Sequence, residues 1–212
     1  MSEKLGTLVC FAMKEEAGPF RKLAVEKSHV HLLLTGIGRV NARRALEAEL
    51  ARQQPAAVLS CGFAGALTPS LMIGDVIYET EDEAFRQRLE IARARPAKIF
   101  CADRMAITAT EKKKLRDESG ADAVEMESAE IHAMCRERGI PCATVRAVSD
   151  RADEDLPLDF NQLAKADMSL DMAKLMRMVA GSPGKIGALL RLQKQAKLAA
   201  ENLAKLLDRV TG

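Results

Sequence analysis

The chain has 212 residues, 48% hydrophobic and 29% charged, with a net charge of +2 at neutral pH. That length suits one domain with a continuous core, and the composition excludes a disordered chain. Near-neutral charge, interleaved acids and bases and only 3% aromatics leave no nucleic-acid footprint and no base-stacking platform.

Short apolar runs alternate with helical patterns along the chain. TLVCFAM (7–13) reads as a strand, and HVHLLLTGIG (29–38) as a second strand ending in glycines. NARRALEAELARQQ (41–54) has helical spacing with Asn41 as its N-cap. AAVLSCGFAGAL (56–67) is a third strand running into a small-residue turn. GDVIYE (74–79) and PAKIFCAD (96–103) are the next two strands. AVEMESAEIHAMCRERG (123–139) passes from strand to helix and stops at Gly139, a good residue to follow a helix end. PCATVRAVSD (141–150) is the last strand, and FNQLAKADMSLDMAKLMRMVA (160–180) a long helix, with Met168, Met172, Met176 and Met178 as core residues. After the hinge SPGK (182–185), the chain ends in an apolar-striped helix.

Alternating strands and helices specify an α/β fold: a single domain with a central mixed, mostly parallel sheet flanked by helices, plus a C-terminal helical extension. The boundaries are 1–181 for the α/β domain and 182–212 for the extension. Ligands of such sheets sit beyond the carboxyl ends of the strands. Glu15-Glu16, Gly62-Phe63-Ala64-Gly65 and Ser149-Asp150 all follow predicted strands, so they are expected to share one edge. The five cysteines are odd in number and show no CxxC spacing, which reads as reduced core thiols of a cytoplasmic protein. The start MSEKLGTLVCFAM has too short an apolar run for a signal peptide, and no apolar stretch is long enough for a membrane span. His29, His31 and His132 lack metal-ligand spacing, so no metal and no cofactor is expected.

VEME (124–127) raises the question of function. Two carboxylates sit where an apolar strand becomes a helix, and a buried unpaired carboxylate is costly. Either the pair faces water or a specific polar partner meets it. Arg146 poses the same question within its apolar strand, because a buried Arg should be paired. Period-2 alternation places Arg146, Val148 and Asp150 on one face.

Five stretches in order, FAMKEEAGPF, TGIGRVNA, SCGFAGALTPSLMIGDVI, AVEMESAEI and VRAVSDRADED, resemble the nucleoside phosphorylase/nucleosidase superfamily. The resemblance is strongest to its methylthioadenosine/S-adenosylhomocysteine nucleosidases. It implies hydrolysis of the N-ribosidic bond of an adenosine-type nucleoside with release of adenine. Such a reaction needs an acid for the departing base, a base for water and acceptors for the sugar hydroxyls. The resemblance implies Asp150 as the acid at purine N7, oriented by Ser149, and Glu16, in preference to Glu15, as the base for water. Glu127 would accept from the ribose hydroxyls, two oxygens in one plane suiting a vicinal diol, with Met126 against the sugar. Glu125 would serve the strand–helix junction or support the water site. Arg146 would lie near Glu127 or the water.

Gly62 would let backbone approach the substrate, and Met13 would line the same site. Met105 and Ala106 would meet the purine through their backbone, and Phe160 would cover it. Two features depart from the family. Phe63 stands where relatives carry a Ser, and the segment over 80–98 is shorter than theirs. The shorter segment suggests a wider pocket for a bulky 5′ substituent, as in hopanoid-associated nucleosidases; futalosine hydrolases are another relative. Ser60 stands where phosphorylases carry a phosphate-binding Arg, which favours water, with phosphorolysis as the alternative and a catalytically impaired nucleoside-binding protein as a third. The expected partners are a small nucleoside and a second copy of the chain in a homodimer. The basic C-terminal helix admits a peripheral membrane contact, but packing at a subunit interface is favoured.

Overall fold

The computed structural model describes residues 5–163 and 183–212. Strands β1 (Leu5–Phe11), β2 (Val30–Leu34), β3 (Pro55–Ala66), β4 (Val76–Thr80), β5 (Arg95–Pro96), β6 (Ile99–Cys101), β7 (Ala123–Glu125) and β8 (Cys142–Asp150) form one eight-stranded sheet. The α-helices among the described residues are α1 (Lys14–Leu23), α2 (Arg39–Arg52), α3 (Glu83–Ile91), α4 (Ala109–Ser119), α5 (Ser128–Glu137) and α6 (Ile186–Val210). The strand order is β2-β1-β3-β8-β4-β5, with β7 joining β3 and β6 joining β7. Pairing is parallel except for β4 on β8 and β7 on β3, so the expected mixed, mostly parallel sheet is present.

Period-2 alternation in β1 sends Val9 and Phe11 into one core and Leu8 and Cys10 into another, on opposite faces of the sheet. A strand buried on both faces must be apolar at nearly every position, and TLVCF is. The first core packs Phe20 of α1, Phe85 and Leu89 of α3 and Leu203, Leu206 and Leu207 of α6 against Leu59 and Val145. The second packs Leu46 of α2 and Ile131, Met134 and Cys135 of α5. The C-terminal helix thus buries its apolar stripe on the sheet of the same chain.

Three local expectations are corrected. Asn41 does not cap α2, which starts at Arg39 with Gly38 at its N-cap in a left-handed conformation (φ 85°). Asn41 instead donates its side-chain amide to the Ile37 carbonyl. Gly62–Gly65 is not a turn: β3 runs through it, its second half pairing antiparallel with β7 at Gly65 and Ala66. Backbone pairing on both sides overrides the turn propensity of glycine there. Of the 160–180 helix, residues 160–163 form a 3-10 turn; the rest, with Met168, Met172, Met176 and Met178, lies outside the described residues. All five cysteines are free. No described helix is long and apolar enough to cross a membrane.

Candidate active site

The parallel core of the sheet brings the ends of β1, β3 and β8 side by side, so residues distant in sequence converge. α1 follows β1 at once, and its third residue, Glu16, is buried while Glu15 is exposed. The Glu16 carboxylate accepts from the backbone N–H of Met13 (2.9 Å) and of Phe63 (2.9 Å). The first bond ties the helix start, where backbone donors are otherwise unsatisfied; the second reaches across to β3. Burial pushes the Glu16 carboxyl above its usual range despite these donors.

Gly62 makes that contact possible: a Cβ there would lie 2.8 Å from Glu16 Oε1. Gly65 does the same for Asp150, where a Cβ would lie 3.0 Å from Oδ2. The two glycines of GFAG therefore each leave room for one carboxylate. Gly62→Ala should displace the Glu16 carboxylate and strain the backbone, whose φ there is 155°, so thermal stability should fall and kcat should fall at least about tenfold. An unchanged kcat would mean that Glu16 is not at work.

VEME resolves into two unlike residues. Glu125, the last residue of β7, accepts from Glu127 N–H (2.9 Å), from Ser128 N–H (2.9 Å) and from Ser128 Oγ (2.6 Å). It thereby satisfies donors at the start of α5. Its Oε2 also lies 2.5 Å from Arg146 Nη2. Burial opposes its charge, but Arg146 and the Ser128 donors outweigh burial and hold its carboxyl down at about 2. Glu127 turns away from the helix: Oε1 accepts from Gly38 N–H (2.8 Å) and Oε2 lies 3.9 Å from Arg146. Burial, then repulsion from Glu125, pushes its carboxyl up to about 7. The left-handed Gly38 is what aims that N–H across from the TGIG loop.

Arg146 is the largest fully buried side chain among the described residues. Its Nη1 donates to the Ser60 carbonyl (2.6 Å) and Nη2 reaches Ser60 Oγ (3.1 Å). Burial opposes its charge, but Glu125 and Glu127 raise its proton affinity, so it stays a guanidinium. Its pairing is chiefly with Glu125, where the sequence pointed to Glu127 or water. Among the described residues its Nε finds no partner. Ser60 therefore grips the arginine rather than merely lacking a phosphate-binding side chain.

Asp150 ends β8. The register between β3 and β8 shifts at Ala64/Gly65, passing over Ser149; such bulges re-aim side chains beside active sites. Ser149 Oγ donates to Asp150 Oδ1 (2.8 Å). On the other oxygen, Lys112 Nζ of α4 lies 2.6 Å from Oδ2. Lys112 is fully buried and also donates to the carbonyls of Arg151 (2.7 Å) and Glu154 (2.9 Å). Sequence reasoning missed it: Lys112, Lys113 and Lys114 are three consecutive lysines, and only the fold turns one of them inward.

Met105 and Ala106 follow β6, and the Asn161 side chain brackets Met105 by bonding its N–H (2.9 Å) and carbonyl (3.0 Å). Phe160 sits beside that bracket, half-buried. A cleft of about 420 Å³ opens here, lined by Met105, Ala106, Arg39 and Phe100 among others. A second, about 480 Å³, lies between α1 and α6 and touches Phe63 and Glu15. Neither is lined by Glu127 or Asp150, so the cluster of carboxylates, not cleft size, marks the site. Met126 is buried between Glu125 and Glu127, and Met13 and Phe63 are half-buried beside Glu16. Among the described residues no group of His, Cys, Asp or Glu side chains could hold a metal ion. His132 bonds Thr144 (2.8 Å) and His29 the Thr211 carbonyl (2.8 Å).

The Phosphorylase superfamily model matches residues 8–81 and 78–211. The chain belongs to this superfamily. Among curated relatives of this phosphorylase-superfamily protein, an aminodeoxyfutalosine nucleosidase of Campylobacter jejuni is 28% identical, covering 74% of this chain and 84% of that one. A 5′-methylthioadenosine/S-adenosylhomocysteine nucleosidase of Anoxybacillus flavithermus is 29% identical, covering 72% and 82%. The solved Helicobacter pylori 5′-methylthioadenosine/S-adenosylhomocysteine nucleosidase matches 98% of both chains with a TM-score of 0.73 at 19% identity. That last likeness establishes the shared fold.

Proposed function

We propose that the protein hydrolyses the N-ribosidic bond of a 5′-substituted adenosine-type nucleoside and releases adenine. The observation that carries this reading is three buried carboxylates, Glu16, Glu127 and Asp150, brought to adjoining strand ends, each anchored by different partners. Glu16 serves as the base for water, supported by Arg146. Glu127 accepts from the ribose diol, with Met126 and Met13 against the sugar. Asp150, oriented by Ser149, protonates N7 as the bond to the base breaks. The backbone of Met105 and Ala106 meets the base, and Phe160 covers it. The curated relatives are themselves named nucleosidases.

Water rather than phosphate is the acceptor in this reading. Ser60 is engaged with Arg146, and Arg146 is neutralised by Glu125, so that cation is not free for a phosphate. The short 80–98 segment, with α3 folded back on the core, supports a wide 5′ pocket and a bulky 5′ group. A panel of 5′-substituted adenosines, with and without phosphate, tests both points by base release. Adenine released only with phosphate would overturn hydrolysis, and a strong preference for methylthioadenosine would overturn the wide pocket. The working form is a dimer in the cytoplasm, with residues 182–212 as an extension of the 1–181 domain.

The reading has a pH consequence. A ribose diol donates to a carboxylate, not to a carboxylic acid that must itself donate. Glu127 has a folded-state proton affinity raised to about 7, so it protonates as pH falls through that value. Glu16 is raised in the same direction. The plot of kcat/KM against pH should therefore fall on its acid side below about pH 7, well above the range of an ordinary carboxylate. A limb at the ordinary carboxylate range would refute it.

A further inference from the structure

The second cation of the site remains without a role. Lys112 is fully buried, a placement that is rare for lysine unless it is paired. All three of its N–H donors are placed: one on Asp150 Oδ2, one on the Arg151 carbonyl and one on the Glu154 carbonyl. It therefore sits as an ammonium against the oxygen of Asp150 opposite the one that Ser149 holds.

We propose that Lys112 is the positioning residue of the leaving-group acid, fixing the Asp150 carboxyl and stabilising the carboxylate it becomes. This rests on the reading of Asp150 given above. As the C1′–N9 bond breaks, its electron pair goes to the purine, and one proton passes from Asp150 to N7. Water bonds to C1′ and passes a proton to Glu16; Asp150 is left as a carboxylate, and release of that proton by Glu16 to solvent and uptake of one by Asp150 reset both groups. Negative charge thus develops on Asp150 in the transition state, 2.6 Å from an ammonium already in place. A preorganised charge at the atom where charge develops accelerates the step without reorganisation.

A merely structural ion pair predicts something different from a positioning one. The other charged groups near the pair are Arg151, which is tied to Asp153 (2.9 Å), and Glu154, whose side chain meets Gln195 (3.3 Å). The neighbouring strands β3 and β7 present Gly65 and Val124 there, and among the described residues Lys112 is the cation that pairs with Asp150. Loss of a structural pair would slow the cleavage of every leaving group alike; loss of a positioning one slows only the leaving group that needs a proton.

The test uses Lys112→Met in the full chain, with adenine release from a nucleoside compared against cleavage of a riboside carrying a nitrophenolate leaving group. A nitrophenolate departs without a proton, so its cleavage needs no acid. Lys112→Met should lower kcat for adenine release by about 10²-fold. Nitrophenolate release should be unchanged. Lys112→Arg, which keeps the charge if Met does not fold, should restore most of the adenine release lost in Lys112→Met. An equal loss on both substrates in Lys112→Met, or no rescue of adenine release in Lys112→Arg, would overturn the proposal. A wild-type protein that releases no base from any nucleoside would instead overturn the proposed function itself.

Discussion

Asp150→Asn loses adenine release by about 10²–10⁴-fold in kcat, the contribution of a positioned general acid. The amide keeps the shape and can still meet Ser149, but it has no acidic proton to give to N7. Cleavage of a nitrophenolate riboside should survive, because that leaving group needs no protonation. The substitution also leaves the Lys112 ammonium without its anion, with only the Arg151 and Glu154 carbonyls as partners. Uncompensated buried charge is costly, so the melting temperature should fall, and activity must be read below it. Adenine release by a folded Asp150→Asn at the wild-type rate would sink the assignment and favour a different acid. A wild type that binds adenosine analogues yet releases no adenine would make the protein a nucleoside-binding one.

Glu125→Ala should be the most destabilising single change in the site, by about 3–5 kcal/mol in urea unfolding. Arg146 would keep its charge, fully buried, with Ser60 as its remaining close partner and Nε already unpaired. Glu127 stands 3.9 Å away, a weaker counter-charge than Glu125 at 2.5 Å. The start of α5 would lose its acceptor for two N–H groups at the same time. Replacing Glu125 and Arg146 together with apolar residues should recover much of the stability, since no charge is then stranded, but not the activity. A single variant as stable as wild type would show that the buried pair is not what holds this junction.

Much of this was legible in the chain. Alternation in TLVCF and helical spacing after Arg39 are local patterns, set by strand and helix geometry, and they predict the α/β layering. The VEME, GFAG and VRAVSD stretches supply the carboxylates and close-approach glycines that the fold brings together. Two boundaries were misplaced for a physical reason: Gly38 and GFAG are conformationally permissive, and strand pairing or a distant carboxylate, not propensity, selects their state.

The division of labour between Glu125 and Glu127 was not legible. Both are glutamates two residues apart, and both are buried. Which one caps α5 and neutralises Arg146 depends on Ser60, 86 positions before that arginine. Which one is pushed up to about 7 depends on its burial and on repulsion from Glu125, and its one backbone donor is Gly38, 89 positions earlier. Lys112 is likewise one of three adjacent lysines until α4 packs it over Asp150. The sequence alone determined the order of elements and the kinds of side chain at the site, because periodicity and residue type are local properties. Only the tertiary structure decided which carboxylate is charged, which is poised and which is backed by a cation. Burial and charge pairing depend on neighbours that the chain brings together by folding.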